Sequence, residues 1–236
     1  MNDPSNWSET MAAPVAVFDL DGTLVDSAPD LLAALDAAMT AAGFAVLPRD
    51  FALATVGHGA RAMIEAALRA IAVEPTPDLV QPMHAHFLAH YEANIAVGTR
   101  PFPGVEAALD RLAAEGVRLA VCTNKYESLT LKLLAELGLT DRFAAIVGAD
   151  TLSVRKPDPG HVLGTIARAG GDPGRAIMVG DSRADIDAAK AAKVPVIAVD
   201  FGYTPVPVAD LGPDHVISGF DALYPIAARR LGLAPA

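Results

Sequence analysis

From Arg118 onward, short apolar runs alternate with helical stretches, and this alternation constrains the fold more than any other feature of the chain. Apolar runs at residues 118–123, 145–148, 176–179 and 194–199, and a short one at 215–217, read as strands. The intervening stretches 127–137, 161–169 and 185–192, and a last one at 222–231, read as helices, each placing apolar residues on one face. A helix over Val105, Ala108, Leu109 and Leu112, closed by Gly116, precedes them. Strands alternating with helices at this spacing imply a parallel sheet covered on both faces. An earlier apolar segment, Val15-Ala16-Val17-Phe18, most economically belongs to the same sheet.

Between that first strand and the alternating region lies a block of different grammar. Residues 27–98 read as helices without convincing strands: Leu31, Leu32, Leu35 and Met39 recur at helical spacing, with Ser27 or Asp30 available as cap. Two further helices are predicted over 60–72 and 78–95, separated from the first by the glycine-flanked loop Thr55-Val56-Gly57-His58-Gly59. Thr99-Arg100-Pro101-Phe102-Pro103-Gly104 then breaks the helix. The expected organisation is an extension over 1–13, a core of 14–26 with 99–236, and an inserted helical block of 27–98. Met11 stands in the extension as an alternative start.

Composition narrows the class. The 236 residues suffice for one sizeable core with a smaller appended domain. Hydrophobic residues make up 52% and charged residues 19%, and no apolar stretch is long enough to cross a bilayer, so a soluble chain is expected. A formal charge of −10 argues against nucleic-acid or anionic-membrane partners, and an anionic substrate would need local cations. The first dozen residues lack the basic start and apolar stretch of a secretory signal. Cys122 is the single cysteine, which excludes an internal disulfide and fits a reducing, cytoplasmic setting. Within Leu119-Ala120-Val121-Cys122 it reads as a small core residue rather than a reactive thiol.

Sites in open parallel sheets form beyond the carboxyl ends of the strands. The first strand delivers Asp19 and Asp21, two apart and so on one face while the chain stays extended. The second ends in Thr123-Asn124-Lys125, a loop after the third carries Arg155-Lys156-Pro157-Asp158-Pro159, and the fourth ends Gly180-Asp181-Ser182-Arg183-Ala184-Asp185. Acids gathered so closely repel unless one is protonated or a cation lies between them. Magnesium suits carboxylate, carbonyl and water oxygens shared with a substrate phosphate, whereas zinc would lack the Cys and His it favours. On such a metal a carboxylate can attack phosphorus in line while a neighbouring acid protonates the leaving oxygen.

Asp19-Leu20-Asp21-Gly22-Thr23-Leu24-Val25, Thr123-Asn124, Lys156-Pro157 and Gly180-Asp181 with Asp185 resemble, in order and spacing, the four motifs of the haloacid dehalogenase superfamily. The resemblance implies an α/β fold: a Rossmann-like parallel sheet with helices on both faces and an inserted α-helical cap, here 27–98. It implies Asp19 as nucleophile and magnesium ligand, and Asp21 as general acid–base with its carbonyl on the metal. Thr123 and Asn124 would hold phosphoryl oxygens, Lys156 would bridge nucleophile and phosphate, and Asp181 would ligate magnesium. Asp185 matches an acid that holds metal-bound water or the lysine, and stays outside the direct ligand set. An acid at Asp21 resembles the phosphatases and phosphomutases rather than the dehalogenases or phosphonatases.

The loop Val56-Gly57-His58-Gly59-Ala60, the linker Pro101-Phe102-Pro103-Gly104, Thr123-Asn124-Lys125 and Phe201-Gly202-Tyr203 are similar to the phosphoglycolate phosphatase family, with His58 standing where that family often has Asn. The implied substrate is a small anionic phosphomonoester, 2-phosphoglycolate foremost, handled by a monomer or homodimer. Alternatives are a phosphatase of a sugar phosphate, nucleotide or pyrophosphate, a β-phosphoglucomutase-like transferase, and a silent binding protein. His58 and Arg61 are candidate substrate contacts, Arg61 through bidentate pairing with a carboxylate. Lys125 is placed at the substrate or at the rim, and Arg100 is read as structural. His84, His86 and His90 read as a solvated helix face, and Gly170-Gly171-Asp172-Pro173-Gly174 as a turn.

Overall fold

The computed structural model describes residues 12–49, 53, 55, 56 and 59–233. The readings on residues 1–11 and on His58 lie outside the described residues. The chain enters β1 (Ala13–Phe18), passes a tight loop to β2 (Val25–Asp26), and then forms α1 (Ala28–Ala41), α2 (Ala60–Ala70) and α3 (Pro77–Ala93). It returns through β3 (Arg100–Pro101) to α4 (Val105–Ala114), β4 (Arg118–Cys122), α5 (Glu127–Glu136) and β5 (Ala145–Val147). The remainder comprises α6 (Pro159–Arg168), β6 (Gly171–Gly180), α7 (Arg183–Ala191), β7 (Val196–Val199), β8 (His215–Ile217) and α8 (Leu223–Leu231).

Six strands form one parallel sheet in the order β5-β4-β1-β6-β7-β8. This is an α/β, Rossmann-like sheet with helices around it. Strand alternation sorts its side chains into two cores. Ala16, Phe18, Leu119, Val121, Ile177 and Val179 join one cluster, which continues into α4, α5, α8 and the inserted helices. Val15, Val17, Ala120, Cys122, Ala176 and Met178 join the other, beneath α6 and α7. Because both faces are covered, the strands read as unbroken apolar runs rather than alternating ones. The order reverses about β1, which has β4 on one side and β6 on the other, so the carboxyl ends of these three strands frame the crevice.

The inserted helices form a layer of their own. α3 packs against α1 and α2, burying Val80, Met83, Phe87 and Tyr91 with Leu35, Met39, Ile64 and Leu68. The two chain crossings into this layer are stitched together, a feature the sequence reading did not contain: β2 and β3 pair antiparallel, Val25 with Pro101 and Asp26 with Arg100. Asp30 does not cap α1 as expected. Its carboxylate accepts from Gly98 N–H at 2.8 Å and from Thr99 N–H at 2.8 Å and Oγ1–H at 2.6 Å, tying the outgoing crossing to the returning one. Ser27 holds the N-cap position but makes no cap bond, because its hydroxyl turns to Asp21 instead. Tyr203, following β7, grips the same hinge by donating to Asp26 Oδ1 at 2.6 Å and accepting from Ala28 N–H at 3.0 Å. Arg100 is structural, donating to the carbonyls of Ala96, Val97 and Thr99.

One turn reading needs correction. β6 begins at Gly171, and Ala13 pairs with Gly171 while Val15 pairs with Ala176, so residues 172–175 bulge out of an existing ladder instead of preceding the strand. Asp172 supports the bulge by accepting from Gly174 N–H at 2.6 Å. Sequence could not distinguish a looped-out bulge from a free turn, since both favour the same residues.

Asp30→Ala leaves three donors at the hinge without their acceptor, two of them buried in Thr99. It is expected to cost about 2–3 kcal/mol, read as a lower urea midpoint at unchanged slope.

Candidate active site

The chain places its chemistry at the frame around β1. Asp19 follows the last residue of β1, and its N–H donates to the Val179 carbonyl at 2.9 Å, carrying the strand's path one step past its end. Beyond it the backbone folds back on itself, with Leu24 and Val25 N–H both bonding the Leu20 carbonyl at 3.0 Å. This turn needs Gly22 at φ +82°, and a Cβ there would stand 2.5 Å from Asp181 Oδ2. Glycine is therefore required twice over, by conformation and by the close approach of a carboxylate. The turn also ends the period-two alternation, so Asp19 and Asp21 do not share surroundings.

Lys156 is the centre of charge. Buried to 3% exposure, its Nζ donates to the Cys122 carbonyl at 2.6 Å and to Asp185 Oδ1 at 2.6 Å. It also stands 2.9 Å from Asp19 Oδ1 as an ion pair outside hydrogen-bond geometry. These charges hold its pKa well above the ordinary lysine range despite burial. Asp185 is fixed by its second oxygen, which accepts from Ser182 N–H at 3.0 Å and Oγ–H at 2.6 Å, while Ser182 Oγ accepts the Asp185 N–H. This capping box starts α7 and locks the carboxylate that orients the lysine.

Asp181 completes the cluster. Its Oδ1 accepts from Thr23 Oγ1–H at 3.1 Å and its Oδ2 from Tyr203 N–H at 2.8 Å. A methyl on Gly202 would overlap this side chain. One carboxylate oxygen each from Asp19, Asp181 and Asp185 lie within 4.8 Å of one another, and all three residues are buried. Three carboxylates around one ammonium are short of positive charge. Burial, then Asp185, pushes the Asp19 carboxyl up to about 6 against the pull of Lys156; burial, then Asp185 and Asp19, pushes Asp181 up to about 8. The short supply of cations, the oxygen-only donors and the buried Asp19 Oδ1, ion-paired with Lys156 but without a hydrogen bond among the described residues, fit a hard divalent cation. Asp185, left outside the ligand set by the sequence reading, belongs to this cluster, although both of its oxygens already have protein partners.

The Asp21 side chain is elsewhere. Lys125 Nζ lies 2.8 Å from both of its oxygens, and Ser27 Oγ–H donates to Oδ1 at 2.6 Å. Thr123, only 2% exposed, accepts the Lys125 N–H on its hydroxyl at 3.2 Å. Asn124 commits one amide hydrogen to the Lys156 carbonyl at 2.9 Å, and its buried Oδ1 has no partner among the described residues. Asp19, Asp21, Thr123, Asn124, Lys125 and Lys156 line one cavity of about 380 Å³, roofed by Arg61, His84, Phe87 and Tyr91 from the inserted helices.

Arg61 reaches this cavity on α2, with its Nε donating to Glu65 at 3.0 Å. His84 departs from the expected solvated face: it is half-buried at the cavity wall, where burial and then Arg61 lower its pKa. Cys122 is buried, its thiol pushed up to about 11 mainly by burial, and lies 3.4 Å from His161 Nδ1. Thr23, Ser27, Tyr203 and Ser182 were missed as supports of the site. Only the spacing of Ser182 and Asp185 carried a readable signal, the capping-box pattern.

The family model described as haloacid dehalogenase-like hydrolase matches residues 16–199. The chain belongs to this family of hydrolases. It is 49% identical over 219 residues to a phosphoglycolate phosphatase of Agrobacterium fabrum, covering 93% of this chain and 94% of the relative. It is 50% identical over 225 residues to one of Mesorhizobium japonicum, covering 94% and 97%. Among solved structures, a predicted phosphoglycolate phosphatase from Haemophilus somnus 129pt superposes with a TM-score of 0.85 at 29% identity, covering 91% of this chain and 97% of that one.

The raised carboxyls give the metal-free protein a definite pH dependence. A folded pKa above the unfolded one stabilises below the unfolded value, and that contribution is lost as pH rises through about 6 for Asp19 and about 8 for Asp181. Chelated protein should therefore melt at falling temperature from about pH 5 to about pH 9. A divalent cation at about a hundred times its Kd should restore about 2.7 kcal/mol, roughly 5–10 °C, and less in Asp181→Ala. Melting curves unmoved by either pH or cation would contradict this charge balance.

Proposed function

We propose that the chain is a magnesium-dependent phosphatase of a small phosphomonoester, foremost 2-phosphoglycolate, acting through phosphoryl transfer to Asp19. The observation that carries the reading is the buried cluster in which Lys156 bridges Asp19 and Asp185 with Asp181 alongside, opening onto a cavity that also holds Asp21. The names of the relatives that match nearly the full chain at 49% and 50% identity support the substrate.

In this reading Asp19 attacks phosphorus in line and becomes the aspartyl phosphate. Its carboxylate is kept anionic against burial by Lys156, which also meets the phosphoryl oxygens, with Thr123 and Asn124 beside them. Magnesium held by Asp19, Asp181 and the Asp21 carbonyl, with Asp185 next to it, would neutralise the charge on the transferring group. Asp21 gives a proton to the leaving alkoxide and then takes one from the hydrolytic water. Residues 27–98 act as a cap on a core of 14–26 and 99–236, shielding the reaction from bulk water and choosing the substrate. Arg61 keeps guanidinium donors beyond its bond to Glu65 for the carboxylate of a phosphorylated acid.

Asp19→Asn should abolish turnover without lowering the melting temperature, and chelation should abolish turnover reversibly. Asp21→Asn should lower kcat by about 10²–10⁴-fold, the usual contribution of general acid–base catalysis. Phosphate release from a panel of phosphoesters tests the substrate: negligible turnover of 2-phosphoglycolate beside strong turnover of a sugar phosphate would overturn it.

A further inference from the structure

Lys125 is not used by the reaction outlined above, yet it is among the most constrained side chains of the site. Its side chain is 6% exposed, and its ammonium lies 2.8 Å from both oxygens of Asp21, a forked contact that fixes the plane of the carboxylate. The same ammonium stands 4.6 Å above the ring centre of Tyr91. Tyr91 belongs to α3 and is 1% exposed among apolar neighbours of the inserted helices. Its hydroxyl makes no hydrogen bond among the described residues, and the ammonium lies over the ring face. The other holder of Asp21 is Ser27, at the crossing where the chain leaves the sheet for those helices. Both grips on this carboxylate therefore depend on where the inserted layer sits.

We propose that Lys125 is a positioning residue that couples placement of the inserted helices to the orientation of the Asp21 carboxylate, with the Tyr91 ring as the helices' side of the contact. The proposal rests on Asp21 as the proton carrier. A cation over an aromatic face is held by the ring quadrupole, and the hold strengthens when water is excluded, as it is here. With the layer seated, Tyr91 draws the ammonium to a point from which it reaches both Asp21 oxygens. When the layer moves, the ammonium loses that anchor and the carboxylate loses its forked restraint. Proton delivery is thereby tied to a covered site, where misorientation of a reacting group is costly.

A double-variant cycle tests this on the full-length protein, using saturating 2-phosphoglycolate or the best ester of the panel. Tyr91→Leu and Lys125→Met are each expected to lower kcat about tenfold with little change in KM, a loss in the range of one desolvated cation–ring contact. Tyr91→Phe, which keeps the ring, should recover most of the loss. The double variant should be no slower than the slower single variant, because the two side chains act through one contact. Multiplying losses, a Phe variant as slow as the Leu variant, or losses confined to KM would each overturn the proposal. Should Lys125→Met fail to fold by its melting curve, Lys125→Gln takes its place in the cycle. Asp19→Asn separates the two levels: residual turnover there sinks the phosphatase reading itself, whereas a dead Asp19→Asn with multiplying losses in the cycle sinks only the coupling.

Discussion

The site depends on one buried ammonium. Lys156 lies among Asp19, Asp185 and the Cys122 carbonyl, and removing it would leave carboxylates facing each other in a medium that screens them poorly. Its ammonium reaches three different segments: β4 and the start of α7 by hydrogen bonds to the Cys122 carbonyl and Asp185, and the end of β1 by the ion pair with Asp19. It therefore joins three strand-end segments as well as balancing charge. The balance is incomplete, and the raised carboxyls of Asp19 and Asp181 measure the deficit. An arrangement of this kind sacrifices stability to hold together a buried acid cluster whose oxygen donors fit a hard cation.

A second set of interactions governs how the inserted helices meet the sheet. Asp30 binds the returning chain, Tyr203 binds the outgoing one, and β2 pairs with β3 between them. Tyr203 also supplies the N–H that holds Asp181, so one residue after β7 serves both the hinge and the acid cluster. Lys125 repeats the theme from the opposite side, pairing with Asp21 and packing on Tyr91. The acids and the helices above them are thus connected through short polar contacts as well as through the apolar cluster that runs from the sheet into those helices.

Much of this was legible in order along the chain. Apolar runs with helical partners gave the parallel sheet, because both faces of such a sheet must be covered. Polar residues cluster where those runs stop, and strand ends converge in a parallel sheet, so the sequence alone places Asp19, Thr123, Lys156 and Asp181 together. The pairing of Lys125 with Asp21 was not legible, since 104 residues separate them and a lysine beside a phosphate-binding pair has many exposed alternatives. Thr23 on Asp181 and Ser27 on Asp21 were hidden for another reason: each hydroxyl suits a turn or a cap equally well. The bulge at 172–175 escaped because register is a property of two strands, not of one.

By itself, then, the sequence determined which elements form and which residues stand at their ends, because periodicity and turn chemistry are local. It also narrowed the kind of chemistry to propose, because four acids with a lysine at converging strand ends admit few uses. The tertiary structure alone decided how the charges are shared out: Lys156 to Asp19 and Asp185, Lys125 to Asp21, Thr23 and Tyr203 to Asp181. These assignments depend on ångström-scale distances between segments remote in sequence and on burial from water. Neither quantity is written in the order of the residues.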